Sequence, residues 1–156
     1  LQHVWTGYGE TEWGQRAFLL LLGQGFDTSV DCKAGPDQFR KVIPEALQFL
    51  EKHANSPHQL DVQLAVAQAY ETWWSLSQAP VPGQELTEAE EAEPEANPQQ
   101  YQEGAEAARQ QAIARYEQFI QTAPQSDYAT YARRVLPRLK LGIDTGQRRF
   151  YCVMMD

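Results

Sequence analysis

The stretch "AIARYEQFIQTAPQSDYATYA", Ala112 to Ala132, holds two helical patterns on either side of a short break. Ala112, Ile113, Tyr116, Phe119 and Ile120 recur at the three- and four-residue spacing that puts side chains on one face of a helix. Pro124 to Ser126 interrupts the pattern, and Ser126 stands where a helix start wants a hydroxyl to accept from the first free amides. Ala129 and Ala132 then open a second helix with small residues. Two helices that cross closely need a small side chain opposite a bulky one.

The same design occurs earlier. "EALQFLEKHANSP", Glu45 to Pro57, lines up with "RYEQFIQTAPQSD", Arg115 to Asp127. Phe49 matches Phe119, Leu50 matches Ile120 and Ser56 matches Ser126, and Ala65 and Ala67 follow as Ala129 and Ala132 do. Repetition of a helical hairpin is the signature of a stacked array.

The pattern A-x-x-x-Y-E-x-F-I-x-x-x-P-x-S-x-Y-A-x-x-A over Ala112 to Ala132 resembles a tetratricopeptide-type repeat. It is most similar to the version found in bacterial envelope proteins, such as outer-membrane assembly lipoproteins and the Tol–Pal coordinator family. "FLEKHANSPHQLDVQLAVAQAY", Phe49 to Tyr70, fits the same pattern. The resemblance covers residues 36–78 and 99–141. It implies a non-catalytic scaffold or assembly subunit that binds a protein segment on a helical groove. It also favours the envelope or periplasm over the cytoplasm. Three features depart from the pattern: the insertion between the units, the apolar helix before them and the tail after them. Two units are also fewer than the roughly three such arrays usually need.

Reading outward, Leu1 to Gly9 is predicted as an extended arm, and Glu10 to Gly23 as a helix capped by Thr11. Trp13, Ala17, Phe18 and Leu19 to Leu22 crowd nearly all its faces, so burial on most sides is expected. Asp27 to Gly35 is turn-rich, and a helix follows from Pro36 with a kink or break expected at Pro44. From His58 to Ser77, Val62, Ala65, Val66, Ala69, Trp73 and Leu76 form one stripe. Ala67, Tyr70 and Trp74 form a second beside it. Two stripes mean two neighbours, or one neighbour and one groove. Trp73 is expected in the core, and the exposure of Trp74 decides between packing and a partner anchor.

A helix resumes at Gln99 and continues through Tyr101, Ala105 and Ala108 into the opening stretch. The last helix, Asp127 to Leu141, is expected to kink or end at Pro137. The fold class is thus all-α: about five helices in hairpins, with an acidic disordered insertion and short extended ends. Along the chain these are an N-terminal arm and capping helix (1–35), a first hairpin (36–78), an acidic proline-rich loop (79–98), a second hairpin (99–141) and a C-terminal arm (142–156).

The net charge is −8. Eight glutamates, Glu85 to Glu106, lie in a stretch without Lys or Arg; setting them aside leaves 13 acids against 13 Lys and Arg. The acidity belongs to one segment, and an acidic total disfavours nucleic-acid binding. The longest apolar run, Ala17 to Leu22, is far short of the roughly 20 residues of a membrane span. Arg133, Arg134, Arg138, Lys140, Arg148 and Arg149 form a basic group that can clamp the acidic loop, bind an acidic partner or simply stay solvated. With Tyr70 and Trp74, the arginines Arg133, Arg134 and Arg138 are the candidate partner-binding residues.

Cys32 and Cys152 are either free core thiols or a disulfide joining the two ends, and their spacing signals no metal. No cofactor motif is present: "GQG", Gly23 to Gly25, follows a helix and not a strand. His3, His53 and His58 read as surface or capping residues. The rival class is an aspartic-type hydrolase, because Asp27-Thr28-Ser29 and Asp144-Thr145-Gly146 resemble the paired triplets that share a proton between two carboxylates. That chemistry belongs on a β-rich frame, and Asp-Thr after Gly is also ordinary turn chemistry. A regulatory or sensor module of a larger enzyme is the other alternative.

Overall fold

Helical periodicity dominates the chain, and a computed structural model, which describes residues 1–23, 38–78 and 99–144, is helical through most of them with no strand among them. The fold is all-α. In order the helices are α1 (Gln2–Tyr8), α2 (Glu12–Gly23), α3 (Gln38–Lys52), α4 (Gln59–Leu76), α5 (Gln99–Gln102), α6 (Ala105–Thr122) and α7 (Asp127–Lys140). The turn-rich stretch Asp27–Gly35, the insertion 79–98, both cysteines, and the C-terminal arm beyond Asp144 lie outside the described residues.

The expected N-terminal extended arm is instead the helix α1. Gly7 inside it argues against a helix, and it has no side-chain cap and no fully buried residue. Tertiary packing overrides this through Trp5, whose ring lies 4.7 Å from that of Phe18 and 5.9 Å from that of Phe49. Thr11 caps α2 as expected: its hydroxyl accepts from Gly14 N at 3.1 Å and donates to Tyr8 O at 2.7 Å. The two helices meet so closely that a Cβ on Gly14 would lie 1.9 Å from Tyr8 O. Burial of α2 on most sides does not hold. Ala17, Phe18, Leu21 and Leu22 are buried, but Trp13 and Leu20 are 73% and 57% exposed. α1 and α4 both pack on this helix, and among the described residues Trp13 and Leu20 lie outside those contacts.

α3 and α4 form the first hairpin, and α3 runs unbroken through the exposed Pro44. Ser56 is not the cap of α4; His58 holds that position. The Ser56 hydroxyl accepts from His58 N at 3.1 Å and donates to Gln15 Oε1 at 2.8 Å, tying the turn to α2. Ser126 does cap α7, accepting from Ala129 N at 3.1 Å. α7 passes through Pro137 without ending.

The single helix expected from Gln99 is divided. Gly104 adopts φ +78°, which ends α5 and restarts the chain as α6. A Cβ there would lie 3.0 Å from Trp73 Cζ2, so the position needs glycine for both conformation and space.

The core has two parts. Phe18, Phe39, Val42, Phe49, Val62 and Val66 centre the first, between α2, α3 and α4. Trp74, Ala112, Tyr116, Phe119, Ala132 and Leu139 centre the second, between α4, α6 and α7. The two stripes of α4 divide as their spacing predicts: Val62, Ala65, Val66, Ala69, Trp73 and Leu76 serve the first core, Ala67 and Trp74 the second, and Tyr70 touches both. The matched residues of the two hairpins share their environments, with Phe49 and Phe119 each 1% exposed and Leu50 and Ile120 half-buried.

Gly104→Ala is expected to destabilise the fold by about 1–3 kcal/mol, through a left-handed φ and a clash with Trp73. Gly7→Ala, where no atom lies within 4 Å of the added carbon, is expected to be neutral or to stabilise α1 by up to about 1 kcal/mol. Urea denaturation of the two variants checks both signs.

Candidate interaction surfaces

Trp73 and Trp74 point to different cores. Trp74 is 4% exposed and belongs to the second core with Ala67, with Ala105 and Ala112 of α6 and with Leu136 and Leu139 of α7. The Arg109 guanidinium lies 5.8 Å from the centre of its ring. Arg109 is held there by the Glu106 carboxylate at 2.8 Å and 2.9 Å and by Leu139 O at 2.8 Å. That hydrogen bond raises the Arg109 pKa, and the same bond lowers that of Glu106. A tryptophan so enclosed is a packing residue, and of the two alternatives open for Trp74 it is the core one that holds, not the exposed groove anchor. Its position in the second stripe faces α6 because α6 needs a wide apolar neighbour opposite its alanines.

Trp73 is core only on one side. It is half-buried against the first core, donates from Nε1 to Tyr101 O at 3.2 Å, and has Arg40 5.6 Å from its ring centre. Tyr70 is half-buried too, with the Arg115 guanidinium 5.7 Å from its ring centre. Burial lowers the Arg115 pKa, and its interaction with Tyr70 partly offsets this.

One feature of α4 escaped the sequence reading. Gln68, Glu71, Thr72 and Ser75 are all buried. Glu71 has no exposed surface and accepts from the Tyr116 hydroxyl at 2.6 Å, which ties α4 to α6 across the interior. Burial first, then the Glu71 charge, drives the Tyr116 phenol far above its ordinary range, so it remains a donor. The signal was there: Glu71 stands four residues after Ala67 and three before Trp74, inside the second apolar stripe. A second hydroxyl–carboxylate bond joins α7 to α4, from Tyr128 to Asp61 Oδ1 at 2.5 Å. This bond, with burial and the nearby acids, pushes the Tyr128 phenol up to about 12. A raised phenol contributes stability at neutral pH and loses it only as pH climbs from about 10 through about 12.

Arg133, Arg134 and Arg138 come together on the exposed side of α7. Arg133 donates to Pro124 O at 2.8 Å, Arg134 lies 5.6 Å from the Tyr131 ring centre, and Arg138 donates to Asp144 O at 2.6 Å. Lys140 pairs with Glu117 at 2.5 Å. Arg148 and Arg149 lie outside the described residues. The expected partner-binding set therefore divides: Trp74 and much of Tyr70 are interior, and the arginines form a surface of their own.

Asp144 lies in the turn that follows α7, where its Oδ1 accepts from Ser75 at 2.7 Å. Asp27 and the possible Cys32–Cys152 pair are outside the described residues. His3 is exposed, and His58 stands at the N-cap position of α4 without a side-chain cap hydrogen bond. His53 is neither surface nor cap. It is 8% exposed, with its ring 4.8 Å from Phe49 and 5.6 Å from Trp5, and Nδ1 3.7 Å from the Glu10 carboxylate. The N-terminal helix covers it, which an extended arm would not. Among the described residues, no helix is long and apolar enough to cross a membrane. Comparison with known protein families, with curated proteins and with solved structures finds no match.

Acrylamide should quench Trp13 most strongly. Trp13→Phe is expected to remove the most quenched fluorescence component and Trp74→Phe to leave it intact; the reverse would put Trp74 at the surface. Tyr116→Phe is expected to cost about 1–3 kcal/mol in chemical denaturation, since it takes a donor from a buried carboxyl.

Proposed function

We propose that this chain is a non-catalytic scaffold of tetratricopeptide-like hairpins that holds a protein partner on its outer surfaces. The observation that carries the reading is where the large exposed apolar residues fall. Trp13 and Leu20 lie on the outer side of α2, and Leu141 and Ile143 follow α7 at the other end. Two buried cores occupy the interior, and an open cleft remains between α2 and α4, lined by Leu19, Leu22, Asp61, Leu64, Ala65 and Gln68. A helical fold with exposed apolar side chains at its two ends is suited to docking, because such residues supply anchor energy once a partner excludes water.

The repeat resemblance supports the same reading and favours an assembly role in a bacterial envelope. The hydrolase alternative gains nothing from Asp144, whose carboxylate is engaged by Ser75 in a helix-terminal turn.

The test is site-specific photo-crosslinking in the native cells, with p-benzoylphenylalanine placed in turn at Trp13, Leu20, Leu141 and Ile143. A discrete, saturable protein adduct at one or more of these positions, absent when the probe replaces an interior residue such as Phe119, is the expected result. Absence of any position-specific adduct at all four would overturn the scaffold reading.

A further inference from the structure

The outer side of α7 carries four cations, three of which meet no carboxylate among the described residues. Arg133, Arg134, Arg138 and Lys140 lie along it, and Leu141 and Ile143 follow at 75% and 48% exposure. Of the four cations, only Lys140 meets a carboxylate among the described residues. Each arginine is held by a neutral group instead: a backbone carbonyl for Arg133 and Arg138, and the Tyr131 ring for Arg134. These contacts fix the side chains without neutralising them. A guanidinium has five donors, so each can still present a fork to a carboxylate, and its ordering cost is partly met in advance.

Resting on the scaffold reading, we propose that this surface docks an acidic protein segment that also carries one or two apolar side chains. Charge complementarity selects the acidic residues, and Leu141 and Ile143 select the apolar ones. The 14 residues of α7 span about 21 Å, a length suited to a short segment. A duplex or an anionic membrane is a poorer fit. Either is an extended polyanion that would also meet the acids elsewhere on a chain of net charge −8. A duplex has no use for the two apolar anchors, and two side chains give a bilayer little apolar area to bury. A few carboxylates on one segment meet only the arginines.

The experiment uses the full chain and a fluorescein-labelled synthetic peptide that alternates paired glutamates with leucines, followed by anisotropy at low and physiological salt. Its control replaces every glutamate with glutamine. The wild type is expected to bind the acidic peptide at least about tenfold more tightly than the control peptide. Arg133→Glu combined with Arg138→Glu is expected to weaken binding at least about tenfold while leaving the melting temperature within a few degrees. Leu141→Ser is expected to weaken it less, and Arg16→Glu on α2 not at all. Equal binding of the two peptides, or indifference to the double substitution, overturns the proposal. So does displacement of the peptide by a DNA oligonucleotide or by phosphatidylglycerol vesicles with the same arginine dependence. Binding that appears only after the six glutamates from Glu85 to Glu95 are changed to Gln would assign the surface to the chain's own acidic segment, and overturns a partner in trans. Failure here is distinct from failure of the scaffold: position-specific crosslinks at Leu141 or Ile143 with no acidic-peptide binding leave the scaffold standing and remove only the acidic chemistry.

Discussion

A carboxyl with no exposed surface sits on the helix that both cores share, and the arrangement of the hairpins depends on it. Glu71 accepts from Tyr116 across the α4–α6 boundary. A buried polar group is tolerated only when its hydrogen bonds are made, so a shift of α6 along α4 would strand both partners. Apolar contacts alone are less exacting. The alanines, isoleucines and Phe119 of α6 could pack against α4 in several registers at similar cost, since burial is non-directional. The directional bond selects one. Tyr128 to Asp61 does the same for α7 nearer the surface. The second hairpin is thus held to the first by area and positioned by two phenols.

Around that axis, each tryptophan has a separate task. Trp5 makes a helix of a glycine-containing segment by docking on Phe18, Phe49 and His53. Trp73 lies against Gly104, so the break between α5 and α6 falls where the ring needs room. Trp74 fills the second core beneath Arg109. Trp13 alone stands largely in solvent, with Arg16 5.5 Å from its ring centre. Adjacent tryptophans on one helix are explained by two neighbours, and the surface tryptophan is elsewhere.

Much of this was legible in the sequence because it rests on period. The stripes of α4, the caps at Thr11 and Ser126, and the pairing of Phe49 with Phe119 are local patterns, and they landed where spacing put them. What period cannot give is which side of an element has a neighbour. α2 is apolar nearly all round, and only where α1 and α4 pack on it decides that Trp13 and Leu20 are left exposed. α1 departs from its expected arm for the converse reason: its local sequence favours a coil, and the long-range ring contacts of Trp5 with Phe18, Phe49 and His53 favour a helix. His53 was misplaced with it. The arginines were visible as a basic group, but their neutral backbone and ring contacts were not. Those depend on turns that bring Pro124 and Asp144 back to α7.

The two ends of the array bear on what the molecule is for. A helical array must finish in faces that water accepts, and a row of arginines at one end satisfies that need without any partner. Solvation alone, however, does not explain the rest of the surface. An end built only for solubility would not leave a tryptophan 73% exposed on α2, nor place Leu141 at 75% beside the arginines on α7. It would also gain nothing from side chains held by backbone carbonyls, since free, mobile lysines hydrate as well and lose less entropy. Fixed guanidinium groups next to exposed apolar side chains fit the proposed recognition better than they fit solvation alone.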